Sequence, residues 1–261
     1  MKLIEQFKEL FKYRQLVWAL VTRHLAIRYR GSLLGFLWSF LNPLLLMLIY
    51  SLVFKYYIRF DHVENYSIFL FCGLLPWLCV VSSLEEGTRS LVSSGHLITK
   101  SMFPAQILPA VAVLTSLIHF VLALPMLFLF MIIAGMPIGL STLSLPLVLT
   151  VQCVFLYGIT LGLSALNVKY RDVQHVVGNV LTFLFFLCPI IYPVETVPEK
   201  YRFTMELNPF AVFTAIYHNI LLDGVMPKPM HIVFVVTSMA ICLLVGSMIF
   251  DAYKEKFAEC L

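Results

Sequence analysis

Between Ser101 and Val168 the chain carries no Asp, Glu, Lys or Arg. That run is about three times the roughly 20 apolar residues that carry a helix across some 30 Å of hydrocarbon. The whole sequence is 61% hydrophobic and 12% charged, whereas soluble domains hold about 25% charged residues. The solvent for most of this chain is therefore lipid. A turn signal, "AGMPIGLST" from Ala134 to Thr142, divides the long run into two spans. Gly31–Phe54, Asn65–Leu84, Val173–Val194 and Pro229–Phe250 are likewise free of charge and supply one span each. The expectation is an all-α membrane protein with six transmembrane helices.

Orientation follows from Lys and Arg near the ends of the spans. Residues 1–31 hold Lys2, Lys8, Lys12, Arg14, Arg23, Arg28 and Arg30. With six alternating spans, the same side receives Arg89 and Lys100, then Lys169 and Arg171, then Lys254 and Lys256, which makes 13 of the 18 basic residues. Both termini are expected in the cytoplasm. The knot "NVKYRDV", residues 167–173, is then a cytoplasmic turn. Its Lys169 and Arg171 set topology, its Asp172 is placed to cap the following helix, and it is not an active site.

The start of the chain is basic, but no uninterrupted apolar core of 7 to 15 residues leads to a cleavage site, so it does not read as a signal peptide. Leu3, Ile4, Phe7, Leu10 and Phe11 instead recur at helical spacing, with Lys8 and Lys12 off that stripe. This describes an amphipathic helix on the cytoplasmic leaflet, serving as a lipid anchor or as a docking face for a partner. At the other surface, the segment from Pro193 to Met230 combines charged residues with a sixteen-residue apolar stretch, Leu207–Leu222, that is too short to cross and return. Asn208-Pro209 breaks it near its start. It is either a helix re-entering the outer leaflet, its ends sheltered by protein, or a helix lying flat on the surface.

Ion-coupled transporters need acidic or paired charges at the bilayer midplane, and the spans contain none. His119 is the plainly intramembrane titratable residue, and His175 opens the fifth span. There is no HExxH, GxSxG or GxxxxGK[ST] pattern, and no CxxC pair among the six cysteines. Neither a metal, a nucleic acid nor a cofactor of its own is called for. If the chain drives uphill movement, the energy must enter through cytoplasmic surfaces. The largest after the N-terminus is "EEGTRSLVSSGHLITKSMFP", where Glu85, Glu86, Arg89 and Lys100 alternate with Leu91, Val92, Leu97 and Ile98 as in a short helix that fits a groove. Glu85 and Glu86 could equally cap that turn. Aromatic residues concentrate in span one (Phe36, Trp38, Phe40, Tyr50, Phe54) and span five (Phe183, Phe185, Phe186), with Trp77 and Tyr192 expected in the interfacial belts. "GITLG", Gly158–Gly162, gives a small-xxx-small face for close helix contact, within one chain or across a dimer.

Three stretches in order resemble one family: "RYRGSLLGFLWSFLNPLL" from Arg28 to Leu45, "LITKSMFPAQILPAVAVL", and "NVKYRDVQHVVGNVLTFLFFLCPIIYPVETVP" followed by "NPF". They are similar to permease subunits of type 2 ABC exporters of polysaccharide, of the Wzm and TagG type, which move O-antigen, capsule or teichoic acid. The resemblance implies a homodimer of six-helix subunits in a bacterial inner membrane, above two copies of a separate nucleotide-binding ATPase that holds ATP and Mg. It implies that Arg28, Arg30, Glu85, Glu86, Arg89, Lys100 and Arg171 couple to that ATPase, and that Phe36, Phe40, Tyr50, Phe183 and Phe186 line the passage for a lipid-linked polysaccharide. Pro189, Tyr192, Asn208 and Pro209 fall in the external gate. The chain departs from the family pattern at Cys188, where Ser is common, and at His218, near which an Arg is common.

The expected organisation is one integral domain, 1–261: an interfacial helix over 1–31, spans one to five over 32–192, an external loop with re-entrant helices over 193–230, span six over 231–250 and a cytoplasmic tail over 251–261. The nearest alternative keeps this fold and exports a drug, antibiotic or lipid. An assembly protein that transports nothing, and an ion-coupled flippase, are the other classes.

Overall fold

The computed structural model describes residues 2–29, 31, 34–57, 65–96 and 104–257, and among them contains helices and turns but no strand. The principal elements are α1 (Lys2–Lys12), α2 (Arg14–Tyr29), α3 (Trp38–Ser51), α4 (Tyr66–Ser93), α5 (Ile107–Ile133), α6 (Leu145–Lys169), α7 (Val173–Leu187), α8 (Glu199–Glu206), α9 (Pro209–Leu221) and α10 (Pro229–Tyr253). Five helical stretches among the described residues are long and apolar enough to cross a bilayer: Trp38–Lys55, Tyr66–Ser93, Ile107–Ile133, Leu140–Lys169 and Pro229–Tyr253. The span expected over 173–194 contains α7, of 15 residues, which rises only about 22 Å before the chain turns at Cys188-Pro189.

α4 occupies the centre. In its most apolar window 78% of residues are buried, against 11% for Trp38–Lys55 and 22% for Pro229–Tyr253. It packs against α5 and α6, with α3, α7 and α9 along its remaining sides, while α10 lies against the far side of α6. Close approach depends on residues without side chains. A Cβ on Gly87 of α4 would lie 2.5 Å from Thr160 Cγ2 on α6. On the other face of α6, a Cβ on Gly246 of α10 would lie 1.9 Å from the Gly158 carbonyl oxygen, and one on Gly158 would lie 2.6 Å from the Leu243 nitrogen. The glycine face of "GITLG" is therefore spent within one chain, on the α6–α10 crossing.

Hydroxyls enter these apolar helices by bonding to their own backbone. Thr115, Ser116 and Thr160 each donate to the carbonyl four residues earlier, at 2.7–3.0 Å. Such groups demand no distant partner in a medium without water.

The amphipathic start is docked on protein. Gln6 is buried; Ser247 Oγ donates to its Oε1 at 3.0 Å, and its amide reaches Asp251 at 3.5 Å, both on the end of α10. Gln106, just before α5, donates to Glu9 Oε2 at 2.8 Å. Val17 and Val21 of α2 bury against Ile107 and Val111 of α5. Phe11 and Trp18 remain 71% and 61% exposed, leaving an apolar strip for lipid.

Candidate functional site

α9 is a 13-residue apolar helix enclosed by protein: Val212, Phe213, Ile216, Tyr217, His218 and Ile220 are all buried. Pro209 fits its first turn, and Asn208 caps it, its side-chain oxygen accepting from the Phe210 N–H at 3.1 Å. At the far end Ser141, in the turn between α5 and α6, donates to the Ile220 carbonyl at 2.8 Å. There Gly139 meets Gly224 so closely that a Cβ on Gly139 would stand 3.1 Å from the Gly224 Cα. Gly224 itself has φ +66°, a conformation open to glycine. The helix expected within Leu207–Leu222 is present over Pro209–Leu221 and is packed against protein.

The turn after α7 closes against α9. Tyr66 donates to the Ile191 carbonyl at 2.8 Å, and the Asn208 amide reaches Cys188 Sγ at 3.6 Å. A Cβ on Gly73 of α4 would lie 3.2 Å from the Ile190 Cα and 3.1 Å from His218 Nε2. The His218 ring lies 4.4 Å from that of Phe69. Pro189, Tyr192, Asn208 and Pro209 thus fall in one assembly, in which Tyr192 donates to the Phe186 carbonyl and holds the turn back against α7. Cys188 and His218, the two departures from the family pattern, are both inside it. A cavity of about 200 Å³ opens beside Pro189, with Glu195, Arg202, Glu206, Lys228 and His231 among its lining residues. At the end of α9, partial burial first and Glu195 second raise the Asp223 carboxyl above its usual range.

Aromatic rings run through the molecule from this assembly. Tyr50 lies 5.6 Å from Phe185, Phe185 lies 5.9 Å from Trp77, Trp77 lies 6.3 Å from Phe210, and Phe210 lies 5.4 Å from Phe155. The chain of rings joins α3, α7, α4, α9 and α6. Trp77, expected at the interface with water, is buried at its centre. Of the expected passage residues, Tyr50 belongs to this ladder and Phe40 is half-buried. Phe183 and Phe186 face outward, 65% and 57% exposed. Phe185, unselected as a passage residue, turns inward. Phe183 and Phe186, three residues apart, share one face of α7 and Phe185 lies on another, a distinction that composition alone does not make.

On the opposite side the structure corrects two expectations. Glu85 and Glu86 do not cap a turn, because α4 continues without interruption to Ser93. At 28 residues it rises about 42 Å, well beyond the hydrocarbon thickness. Glu85 and Glu86 instead line a cavity of about 760 Å³ between α3, α4 and α5, together with Trp38, Asn42, Ser116 and His119. Arg89 is exposed one turn further on. Asp172 makes no side-chain cap to α7. That role falls to buried Asn167 of α6, whose Oδ1 accepts from the Gln174 N–H at 3.2 Å. Arg171 and Asp172 project outward, and the Lys169 ammonium sits 5.0 Å from the Tyr170 ring and 5.6 Å from that of Tyr253. Arg30, Lys100 and the side chains of Arg28 and Phe36 lie outside the described residues. Among the described residues no cluster of three His, Cys, Asp or Glu is placed to hold a metal.

Comparison with known proteins covers nearly the whole of this arrangement. The family model for ABC-2 type transporters matches residues 15–222. The chain is 38% identical to an O-antigen export system permease protein RfbA from Myxococcus xanthus, over 98% of this chain and 99% of the relative. It is 32% identical to an RfbA permease from Klebsiella pneumoniae over 93% of each chain. A polysialic acid transport protein KpsM from Escherichia coli is 23% identical over 91% of this chain and 93% of the relative.

Proposed function

Because this chain belongs to the ABC-2 type transporter family, and is a multi-pass membrane protein of the permease kind, we propose that it passes lipid-linked O-antigen outward across the bacterial inner membrane. The observation that carries this reading is the end-to-end similarity to O-antigen export permeases, 38% identical over 98% of the chain. The buried outer helix α9 agrees with it, since re-entrant backbone sheltered by protein serves a gated path.

In this reading the working unit is a homodimer above two copies of a separate ATPase, which bind the ATP and Mg. The permease contributes no nucleotide chemistry. Six membrane segments are counted, α7 with the turn after it forming the fifth, and both termini face the cytoplasm. The 13 basic residues grouped on one side support that orientation. The passage lies between subunits, where the outward-facing Phe183 and Phe186 of one copy meet the other; Phe36, Phe40 and Tyr50 of the first span are assigned to it as well. Aromatic faces suit a sugar chain because they offer flat apolar area with few rotatable bonds.

Coupling is geometric. ATPase closure acts on Arg28, Arg30, Arg89, Lys100 and Arg171 and on the projecting end of α4. The rigid α4 carries that displacement past its glycine contacts at Gly87 and Gly73 to the outer assembly, where Pro189, Tyr192, Asn208 and Pro209 release α9 from the turn after α7. Deleting the gene in the source strain and staining its lipopolysaccharide for O-antigen tests the reading. Loss of the long-chain ladder, restored by this chain in trans, is expected. A retained ladder with altered drug susceptibility would replace polysaccharide by a small-molecule cargo.

A further inference from the structure

The outward faces of α5 and α10 are those of helices that meet lipid. Every exposed residue of α5 is apolar. On α10 from Ile232 to Met248 the same holds except at Thr237, whose hydroxyl donates to the Val233 carbonyl at 2.7 Å. α7 differs, exposing His175, Asn179 and Thr182 beside Phe183 and Phe186. Thr182 is satisfied as Thr237 is, donating to the Gly178 carbonyl at 3.0 Å. Asn179 is not: its amide carries two donors and an acceptor, and it makes no hydrogen bond to any described residue. α7 starts at Val173, directly after the charged turn, and Asn179 stands about 9 Å further along the helix. An amide open to hydrocarbon at that depth is costly, and polar side chains within membranes accordingly face a water-filled cavity or another polar surface.

The neighbours of Asn179 narrow what covers it. Asn179, Phe183 and Phe186 stand at i, i+4 and i+7, and so form one row about 10 Å long. Close helix pairing in a membrane uses small residues, whereas here two exposed phenyl rings follow Asn179 on the same face and hold a second helix away. A hydroxyl-rich ring is the complementary case. An amide donates and accepts, as a sugar hydroxyl does, and the phenyl rings offer flat apolar area to the C–H face of a pyranose. α7 itself contains no Asp, Glu, Lys or Arg, so the row engages its ligand without an ionic anchor of its own. That suits a polymer in transit, which has to be held weakly enough to leave each contact for the next.

We infer that Asn179 is a glycan contact of the passage: its amide hydrogen-bonds the hydroxyls of successive sugar units while the rings of Phe183 and Phe186 stack on them. His175, one turn nearer the cytoplasm on the same face, stands at the entry of the row. The inference rests on the export reading above, and adds to it a hydrogen-bonding residue within an aromatic path.

The test uses the full-length permease, with its partner ATPase, in the complemented deletion strain. Asn179→Cys places a thiol in the row, and Leu244→Cys places one on the exposed apolar face of α10. Permeabilised cells are treated with a charged, membrane-impermeant thiosulfonate, with and without O-polysaccharide released by mild acid from the source strain's lipopolysaccharide. Above the wild-type background, Asn179→Cys should label about ten-fold faster than Leu244→Cys or more, and the polysaccharide should slow it. Surface O-antigen should fall about three-fold or more in Asn179→Leu, while Asn179→Gln keeps most of it. Labelling of Asn179→Cys no faster than that of Leu244→Cys, disulfide cross-linking of two Asn179→Cys copies in place of labelling, or labelling that polysaccharide does not slow overturns the contact. Full export by Asn179→Leu beside an exporting wild type sinks the contact alone. Wild-type complementation that restores no O-antigen fails the export reading, and the glycan contact with it; the labelling contrast then still separates a water-filled face from a lipid face.

Discussion

Gly246→Ala adds one methyl group at the point where α6 and α10 touch backbone to backbone. The new Cβ would stand 1.9 Å from the Gly158 oxygen and 2.9 Å from its carbonyl carbon, whereas real Cβ atoms stay beyond about 3.0 Å. Neither neighbour is a side chain that can turn away, so the helices must part by roughly 1 Å. Overpacking of this kind costs about 1–3 kcal/mol, and replacing Gly by Ala inside a helix returns up to about 1 kcal/mol. The expected net loss is therefore about 1–2 kcal/mol. Gly158→Ala, facing Leu243 N at 2.6 Å, should cost a similar amount. Gly162→Ala is the discriminating control: its Cβ would meet the Gly246 Cα at 3.2 Å, a contact relieved by a few tenths of an ångström, so the helical gain offsets most of the strain. Reversible unfolding by SDS titration in mixed micelles, followed through Trp18, Trp38 and Trp77, measures the three differences. Equal stability of Gly246→Ala and wild type, or a loss in Gly162→Ala as large as in Gly246→Ala, would refute the assignment of this glycine face to α6–α10 packing.

Further outcomes follow from single contacts. Asn167→Ala removes the cap of α7 and should cost about 1 kcal/mol, with faster amide exchange at Gln174, while Asp172→Ala should leave both unchanged. Gln6→Leu deletes the link between α1 and the end of α10, and proteolysis of the first helix should accelerate without unfolding of the rest. Asp223 has its pKa raised by burial and by Glu195, so its protonated form favours the fold. The stability it contributes is complete below its ordinary value near 3.8 and is lost as pH rises through the raised value, so Asp223→Asn should be neutral or stabilising at pH 7 and flatten the pH dependence of the melting temperature above pH 4. Arg171→Glu should leave membrane insertion intact and uncouple the partner's ATP hydrolysis from export; normal export would reduce Arg171 to a topology determinant.

Membrane residence was legible in the sequence because absence of charge over about 20 residues has a single physical reading, and the turn at 134–142 divided the long run correctly. What composition does not convey is where a helix stops. Glu85 and Glu86 end the apolar stretch, yet nothing in them interrupts the hydrogen-bond ladder of α4, so the helix outlasts its hydrophobic run by nine residues. Asn167 caps α7 from the preceding helix, a pairing invisible to rules that look for the cap at the residue before the first turn. Trp77 has the side chain of an interfacial residue, but rings from α7 and α9, far apart in sequence, close over it. The first helix showed its apolar stripe plainly; that it docks through Gln6 and Glu9 depends on partners near residues 106 and 250.

The central claim is that this permease moves a lipid-linked polysaccharide using energy from another subunit. Its most direct test reconstitutes the full-length chain with its partner ATPase in proteoliposomes loaded with lipid-linked O-antigen, and measures glycan arriving on the far leaflet by lectin binding. The account predicts ATP-dependent arrival that stops when the ATPase's Walker lysine is replaced, and no ATP hydrolysis by the permease alone. Arrival at an unchanged rate with the lysine variant would contradict it.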